Sequence, residues 1–200
     1  MYNQLYTTQT VEVEGYNGST ELSLPARFLK QGQVFLLGEI NAESANTAMM
    51  QLMYLEKQEG NQPVRIYINS PGGEVMAGLM IYDVLQSMKK PVDIYCTAMA
   101  ASMAAVILAG GKKGHRFIFP HAKTMIHEPL ILNGVGGSAT SIHNISESIL
   151  QTKQMLNELL AKHTGKSIDL VNEATSYDHY MTADESIAFG LCDEVRMDIF

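Results

Sequence analysis

The feature that most constrains this chain is an alternation of short apolar runs with longer segments of helical period. Val34-Phe35-Leu36-Leu37, Val64-Arg65-Ile66-Tyr67-Ile68-Asn69 and Val92 to Thr97 each read as a strand. Between them, Ala45, Ala48, Met49, Leu52 and Met53 recur at helical spacing, and a second helix is predicted from about Val75 to Met88. A further apolar helix begins near Ala100 and stops at Gly110-Gly111, and His115 to Phe119 and Lys123 to His127 read as two more short strands. Strands that alternate with helices of about ten or more residues need crossover connections, which implies an α/β fold built on a mainly parallel sheet.

The two ends of the chain depart from that rhythm. Met1 to Ser23 is rich in Thr, Gln, Asn and Gly, with the turn-like Asn17-Gly18 between β-favouring stretches, so a loose hairpin or mobile arm is expected. In the last third, Gly134-Val135-Gly136-Gly137 leads into a predicted helix from about Thr140 to His163. Ile142, Ile145, Ile149, Leu156 and Leu159 lie on one stripe of it. At 1.5 Å per residue this helix runs roughly 35 Å, more than a compact body of this size easily covers. A second copy of the chain is the simplest partner for such a stripe. Thr182 to Glu185 fits a capping box, Gly190 closes the short helix behind it, and Leu191 to Val195 reads as a last strand. No internal repeat or linker interrupts the 200 residues, so a single domain over 1–200 is expected.

Composition removes several classes of function. The net charge of −7 argues against a nucleic-acid backbone as partner. The longest nearly apolar run, Ala98 to Ala109, is far short of the roughly 20 residues that span a bilayer, and no secretory leader is expected at the start. Cys96 and Cys192 form no CxxC pair, which suits a reduced, cytoplasmic protein. The six histidines show no HxxxH spacing, so no metal is expected.

Three segments carry candidate chemistry. Ser102 lies in Ala98-Met99-Ala100-Ala101-Ser102-Met103-Ala104-Ala105, where a buried strand turns into an apolar helix. A nucleophilic serine needs that setting, with backbone N–H groups at the helix start to receive an oxyanion. A serine merely tolerated in an alanine-rich helix fits the same residues. Ser70-Pro71-Gly72-Gly73 follows a strand and precedes a helix. Adjacent glycines let a substrate approach the backbone and free an N–H for developing negative charge, although a plain turn reads the same way. No GxGxxG or P-loop pattern supports a phosphate cradle there. His127, in Met125-Ile126-His127-Glu128-Pro129, is either a structural histidine or a general base. It gains meaning beside Ser102 and a later carboxylate, the candidates being Glu173, Asp178, Asp184 and Glu185. Asp178 sits just before the capping box, where a short acceptor could orient an imidazole. The order Ser…His…Asp differs from the orders of the α/β-hydrolase, chymotrypsin and subtilisin folds.

At these blocks the chain resembles the ClpP family, the proteolytic subunits of the Clp protease. The likeness runs from about Phe28 to Val195. It includes Tyr67 to Gly73, Ala98 to Ala105, Met125 to Pro129 and Asp178 to Ala183, four ordered blocks at matching separations. The resemblance implies the ClpP/crotonase-like spiral of βαβ units with a protruding handle helix (residues 130–163), and an N-terminal arm (1–20) lining an axial pore. It implies a serine endopeptidase with Ser102 as nucleophile, His127 as base and then acid, and Asp178 as the orienting carboxylate. The N–H groups of Gly73 and Met103 would form the oxyanion hole. An ATPase-docking pocket would involve Met53, Arg65, Tyr67 and Ser87. The implied partners are further copies in seven-membered rings stacked in pairs, a hexameric AAA+ ATPase and unfolded polypeptide. No cofactor is implied, because ATP is used by the partner ATPase.

Some positions depart from the family pattern. Ala98 and Ala104 stand where relatives carry glycines around the serine, and Ser176-Tyr177 replaces an Asp-Arg pair that reaches across the ring junction. Arg65 and Ser87 stand where relatives place aromatics. These changes suggest a divergent paralogue that works with a second, more typical subunit. Two other readings stay open: a weakly active or inactive structural subunit of a mixed ring, and a crotonase-type acyl-CoA enzyme using Gly72-Gly73 to hold a thioester enolate.

Overall fold

The computed structural model describes residues 9–15, 18–131 and 134–197. Strands β1 (Thr10–Gly15) and β2 (Gly18–Ser23) pair antiparallel, which is the expected hairpin. Residues 1–8 and the turn residue Asn17 lie outside the described residues, and much of the proposed axial arm with them. Helix α1 (Leu24–Lys30) is an element the sequence reading passed over. Ser23 caps it, its hydroxyl accepting from the Ala26 N–H, and Pro25 sits in the first turn, where its missing N–H costs nothing.

The body alternates as the sequence predicts: β3 (Gln33–Leu37), α2 (Ala42–Lys57), β4 (Val64–Ser70), α3 (Val75–Ser87), β5 (Val92–Ala101) and α4 (Met103–Ala109). The sheet order is β3-β4-β5-β6-β9, all parallel, with β6 (Arg116–Ile118) and β9 (Glu194–Val195) at the far side. The last strand is therefore shorter than Leu191 to Val195. Two further corrections bear on the site. β5 continues through Ala98 to Ala101, and the helix starts at Met103 rather than near Ala100. Alanine favours helix, but the second half of β5 pairs with β7 (Lys123–Ile126), and that tertiary pairing overrides propensity. β5 thus serves two neighbours on one edge, β6 along Ile94–Cys96 and β7 along Met99–Ala101.

Behind β7 the chain forms α5 (Ala139–Thr164), α6 (Ile168–Ala174), β8 (His179–Met181) and α7 (Ala183–Phe189). β8 pairs antiparallel with β7, placing His179 beside Ile126. The two faces of the sheet are dressed differently. Val34, Leu36, Ile66, Ile68, Ile94 and Ile118 pack under helices α2, α3 and α4. The opposite face carries Phe35, Tyr67, Tyr95 and Phe117 in a stack with ring centroids 4.9–5.3 Å apart. The apolar stripe of α5 divides in two. Leu156 is buried on the body, whereas Ile142 and Ile145 are exposed.

Candidate active site

Ser102 occupies the single residue between the end of β5 and the start of α4. Its backbone, at φ 53 and ψ −122, makes it the one non-glycine residue with positive φ among the described residues. Such a conformation costs on the order of 1–3 kcal/mol and persists only where the surroundings enforce it. They do so from both sides. The Ser102 N–H donates to the Met125 carbonyl at 2.8 Å, and the Ser102 carbonyl accepts from Ala105 as α4 begins. The elbow also nests against Gly72, where a Cβ would lie 2.7 Å from the Ser102 Cβ and 2.6 Å from the Ala101 carbonyl oxygen. Any side chain at Gly72 would push the elbow out of place.

The elbow aims Ser102 at His127, which follows β7. The His127 Nε2 lies 2.9 Å from the Ser102 Oγ. On the other side of the ring, Asp178 Oδ1 lies 3.2 Å from Nδ1, in a contact too poorly aligned to count as a hydrogen bond. The imidazole is largely shielded, with 14% of its side chain exposed, while the Asp178 carboxylate is 61% exposed on the loop between α6 and β8. The structure therefore brings Ser102, His127 and Asp178 together in sequence. Of the other carboxylates considered, Glu185 is spent on the Thr182 capping box.

Gly73 and Met103 are the residues expected to supply backbone donors. Gly73 bridges Ile40 in parallel fashion through its neighbours: the Ile40 N–H donates to the Gly72 carbonyl and the Glu74 N–H to the Ile40 carbonyl. Parallel pairing of this kind turns the N–H of Gly73 itself away from Ile40. A Cβ on Gly73 would sit 2.0 Å from the Ile40 carbonyl oxygen, so glycine is required. Met103 is the first residue of α4, and its N–H has no intrahelical acceptor. A small apolar cavity of about 20 Å³ adjoins the serine, lined by Val75, Met103, Val106, Leu156 and Leu160 among others. The two alanines leave the elbow intact: Ala104 packs in the core and Ala98 is exposed.

A family model described as Clp protease matches residues 17–198. The chain belongs to the Clp protease family. It is accordingly a Clp-type peptidase, and the mixed α/β architecture with its parallel sheet agrees with that fold. Membership in the Clp protease family leaves the acyl-CoA reading without support.

The four residues considered for ATPase docking are not gathered by one chain. Arg65 and Tyr67 sit two apart on the aromatic face of β4, and Tyr67 is boxed between Phe35 and Tyr95. Burial raises the Tyr67 phenol above its ordinary range, against the opposing effect of Arg65. Met53 is exposed on α2 and Ser87 ends α3, both helices of the layer behind the sheet. A groove of about 570 Å³ between α1, β3 and α2 is lined by Phe28, Phe35, Leu37 and Ile40 among others, and by none of the four. Sequence reasoning missed the aromatic stack, whose signal lies in strand register: Phe35, Tyr67 and Tyr95 are direct cross-strand partners. No helix among the described residues is long and apolar enough to cross a membrane.

Proposed function

We propose that this chain is the serine endopeptidase subunit of a self-compartmentalised, ATPase-assisted Clp protease that degrades unfolded polypeptides in the cytoplasm. The observation that carries the reading is the 2.9 Å contact from His127 Nε2 to a Ser102 hydroxyl held on a strained elbow. His127 takes the Ser102 proton as Oγ attacks the peptide carbonyl carbon. The carbonyl π pair moves onto oxygen, where the Gly73 and Met103 N–H groups receive it. Collapse of the tetrahedral intermediate breaks the C–N bond, and His127 returns the proton to the leaving amine. Water then repeats the sequence on the acyl-enzyme, regenerating the free serine. Asp178 holds the tautomer with the proton on Nδ1 and stabilises the imidazolium.

Exposed Leu130, Val135, Ile142, Ile145 and Leu150 support assembly through the handle, in seven-membered rings stacked in pairs. An ATPase dock made from Met53, Arg65, Tyr67 and Ser87 would require neighbouring copies, since one chain does not collect them. A second reading, a weakly active or structural subunit of a mixed ring with a typical paralogue, draws support from the misaligned and exposed Asp178.

Intact-mass analysis after fluorophosphonate treatment tests the leading reading. A single adduct that is lost in Ser102→Ala supports an activated serine. An absence of adduct, both alone and with a second ClpP-family subunit, defeats it. In mixed rings, Ser102→Ala leaves turnover unchanged only if this chain is structural.

A further inference from the structure

A buried amide on α5 has no role in the chemistry described so far. Asn157 is 1% exposed, on a helix face otherwise given to Leu156 and Leu160. A buried carboxamide is costly unless its hydrogen bonds are made, and an apolar side chain would fill the same place more simply. Its Nδ2 donates to Asn172 Oδ1 at 2.7 Å and to Thr175 Oγ1 at 3.1 Å.

Thr175 is itself fully buried and sits at a junction. It ends α6, and the chain runs from it through Ser176 and Tyr177 to Asp178. Its carbonyl accepts, at 2.7 Å, from the N–H of Glu128, the residue after His127. One residue therefore ties the backbone beside the base to the loop that carries the orienting carboxylate, and Asn157 holds that residue by its hydroxyl. A second tie runs one turn earlier on α5, where the Lys153 ammonium is paired with the Glu128 carboxylate.

We propose that Asn157, acting through Thr175 and seconded by Lys153, is a positioning residue that sets His127 and Asp178 relative to each other. The inference rests on the serine-peptidase reading above. The Asp178 carboxylate is exposed and its contact with Nδ1 is poorly aligned. The loop's own bonds are local, with Ser176 donating to the Glu173 carbonyl and Tyr177 stacked on His179. The Thr175 carbonyl is therefore its backbone link to the residue after His127. Misplacing a catalytic group by about 1 Å costs on the order of 10²-fold in rate.

The test compares wild type with Asn157→Leu, Thr175→Val, Thr175→Ser and Lys153→Met. Measured are the rate of fluorophosphonate addition to Ser102 and kcat and KM on a fluorogenic peptide, with melting temperature and assembly mass as controls. Asn157→Leu and Thr175→Val are each expected to slow labelling and lower kcat by about 10²-fold, with KM within about twofold. Combined, they should cost about as much as Thr175→Val alone, because that change already removes the Asn157 link together with the hydroxyl's bond to the Val171 carbonyl. Thr175→Ser keeps the hydroxyl and should stay near wild type, while Lys153→Met should show a smaller loss. Wild-type labelling by folded Asn157→Leu and Thr175→Val would overturn the proposal. So would a Thr175→Ser as slow as Thr175→Val, the pair that decides alone if Asn157→Leu does not fold. If wild type itself takes no Ser102-dependent label, the serine-peptidase reading fails and the inference with it. If wild type labels and the variants match it, only the inference fails.

Discussion

The two ends of the sheet hold polar clusters of opposite character. At the end where β6 begins, Arg116 is 2% exposed and each of its three guanidinium nitrogens is hydrogen-bonded. Its guanidinium is paired with Asp193 and also donates to the carbonyls of Ala109, His163 and Gly190, closing α4, α5 and α7 onto one point. Burial alone would raise the Asp193 carboxyl, but hydrogen bonds and charge from Arg116 hold it below the usual range. At the other end, Ser102 is strained, His127 Nδ1 lacks an aligned partner, and Met103, whose N–H has no intrahelical acceptor, borders a small cavity. A cluster that binds the fold together saturates its donors and acceptors. A cluster poised to react leaves some of them open for the substrate.

That contrast can be broken from either side. The largest effect is expected at the elbow. Ser102→Gly should abolish turnover, a loss of about 10⁶-fold or roughly 8 kcal/mol of transition-state stabilisation. Because glycine accepts a positive φ, the same change should raise unfolding free energy by about 1 kcal/mol, read from denaturant midpoints. Asp178→Asn should lower kcat by about 10⁴-fold and leave the melting temperature unchanged, given how exposed the carboxylate is.

Arg116→Met should act in the reverse sense, costing about 3–5 kcal/mol of stability by stranding Asp193, while labelling per folded molecule stays at the wild-type rate. Adding Asp193→Leu should recover part of that loss. The smallest effect is the pH response of the same pair. Since the folded carboxyl is held low, its contribution is full above the unfolded value of about 3.9 and fades as pH falls through the folded one. Arg116→Met should therefore flatten the acid limb of stability against pH. An unflattened limb would mean that other carboxylates carry it.

How much of this was legible beforehand differs by element. The spaced apolar runs announced β3, β4 and β5 and their crossovers, and the small residues around Ser102 announced the elbow. The end of β5 was not legible, because Ala98 to Ala101 favour helix and only pairing with β7 makes them strand. The short helices α1 and α6 carried readable caps in Ser23 and Ser167, but each has too few turns to show a period. The Asn157–Thr175 link was hidden for another reason. It joins residues 18 apart through one hydroxyl, and no local pattern distinguishes that asparagine from a solvated one.

The divided α5 has a consequence for how the molecule breathes. The amides of its 26 residues cannot be equally protected, since the half with Leu156 and Leu160 rests on the body while the half with Ile142 and Ile145 stands free. A helix nucleates at a cost and then propagates cheaply, so in an unassembled chain the packed half serves as the nucleus and the outer half zips onto it. Hydrogen–deuterium exchange should therefore run as a gradient along this one helix, fast near Ile142 and slow near Leu160. Its steepness would report how much of the outer half another surface has covered.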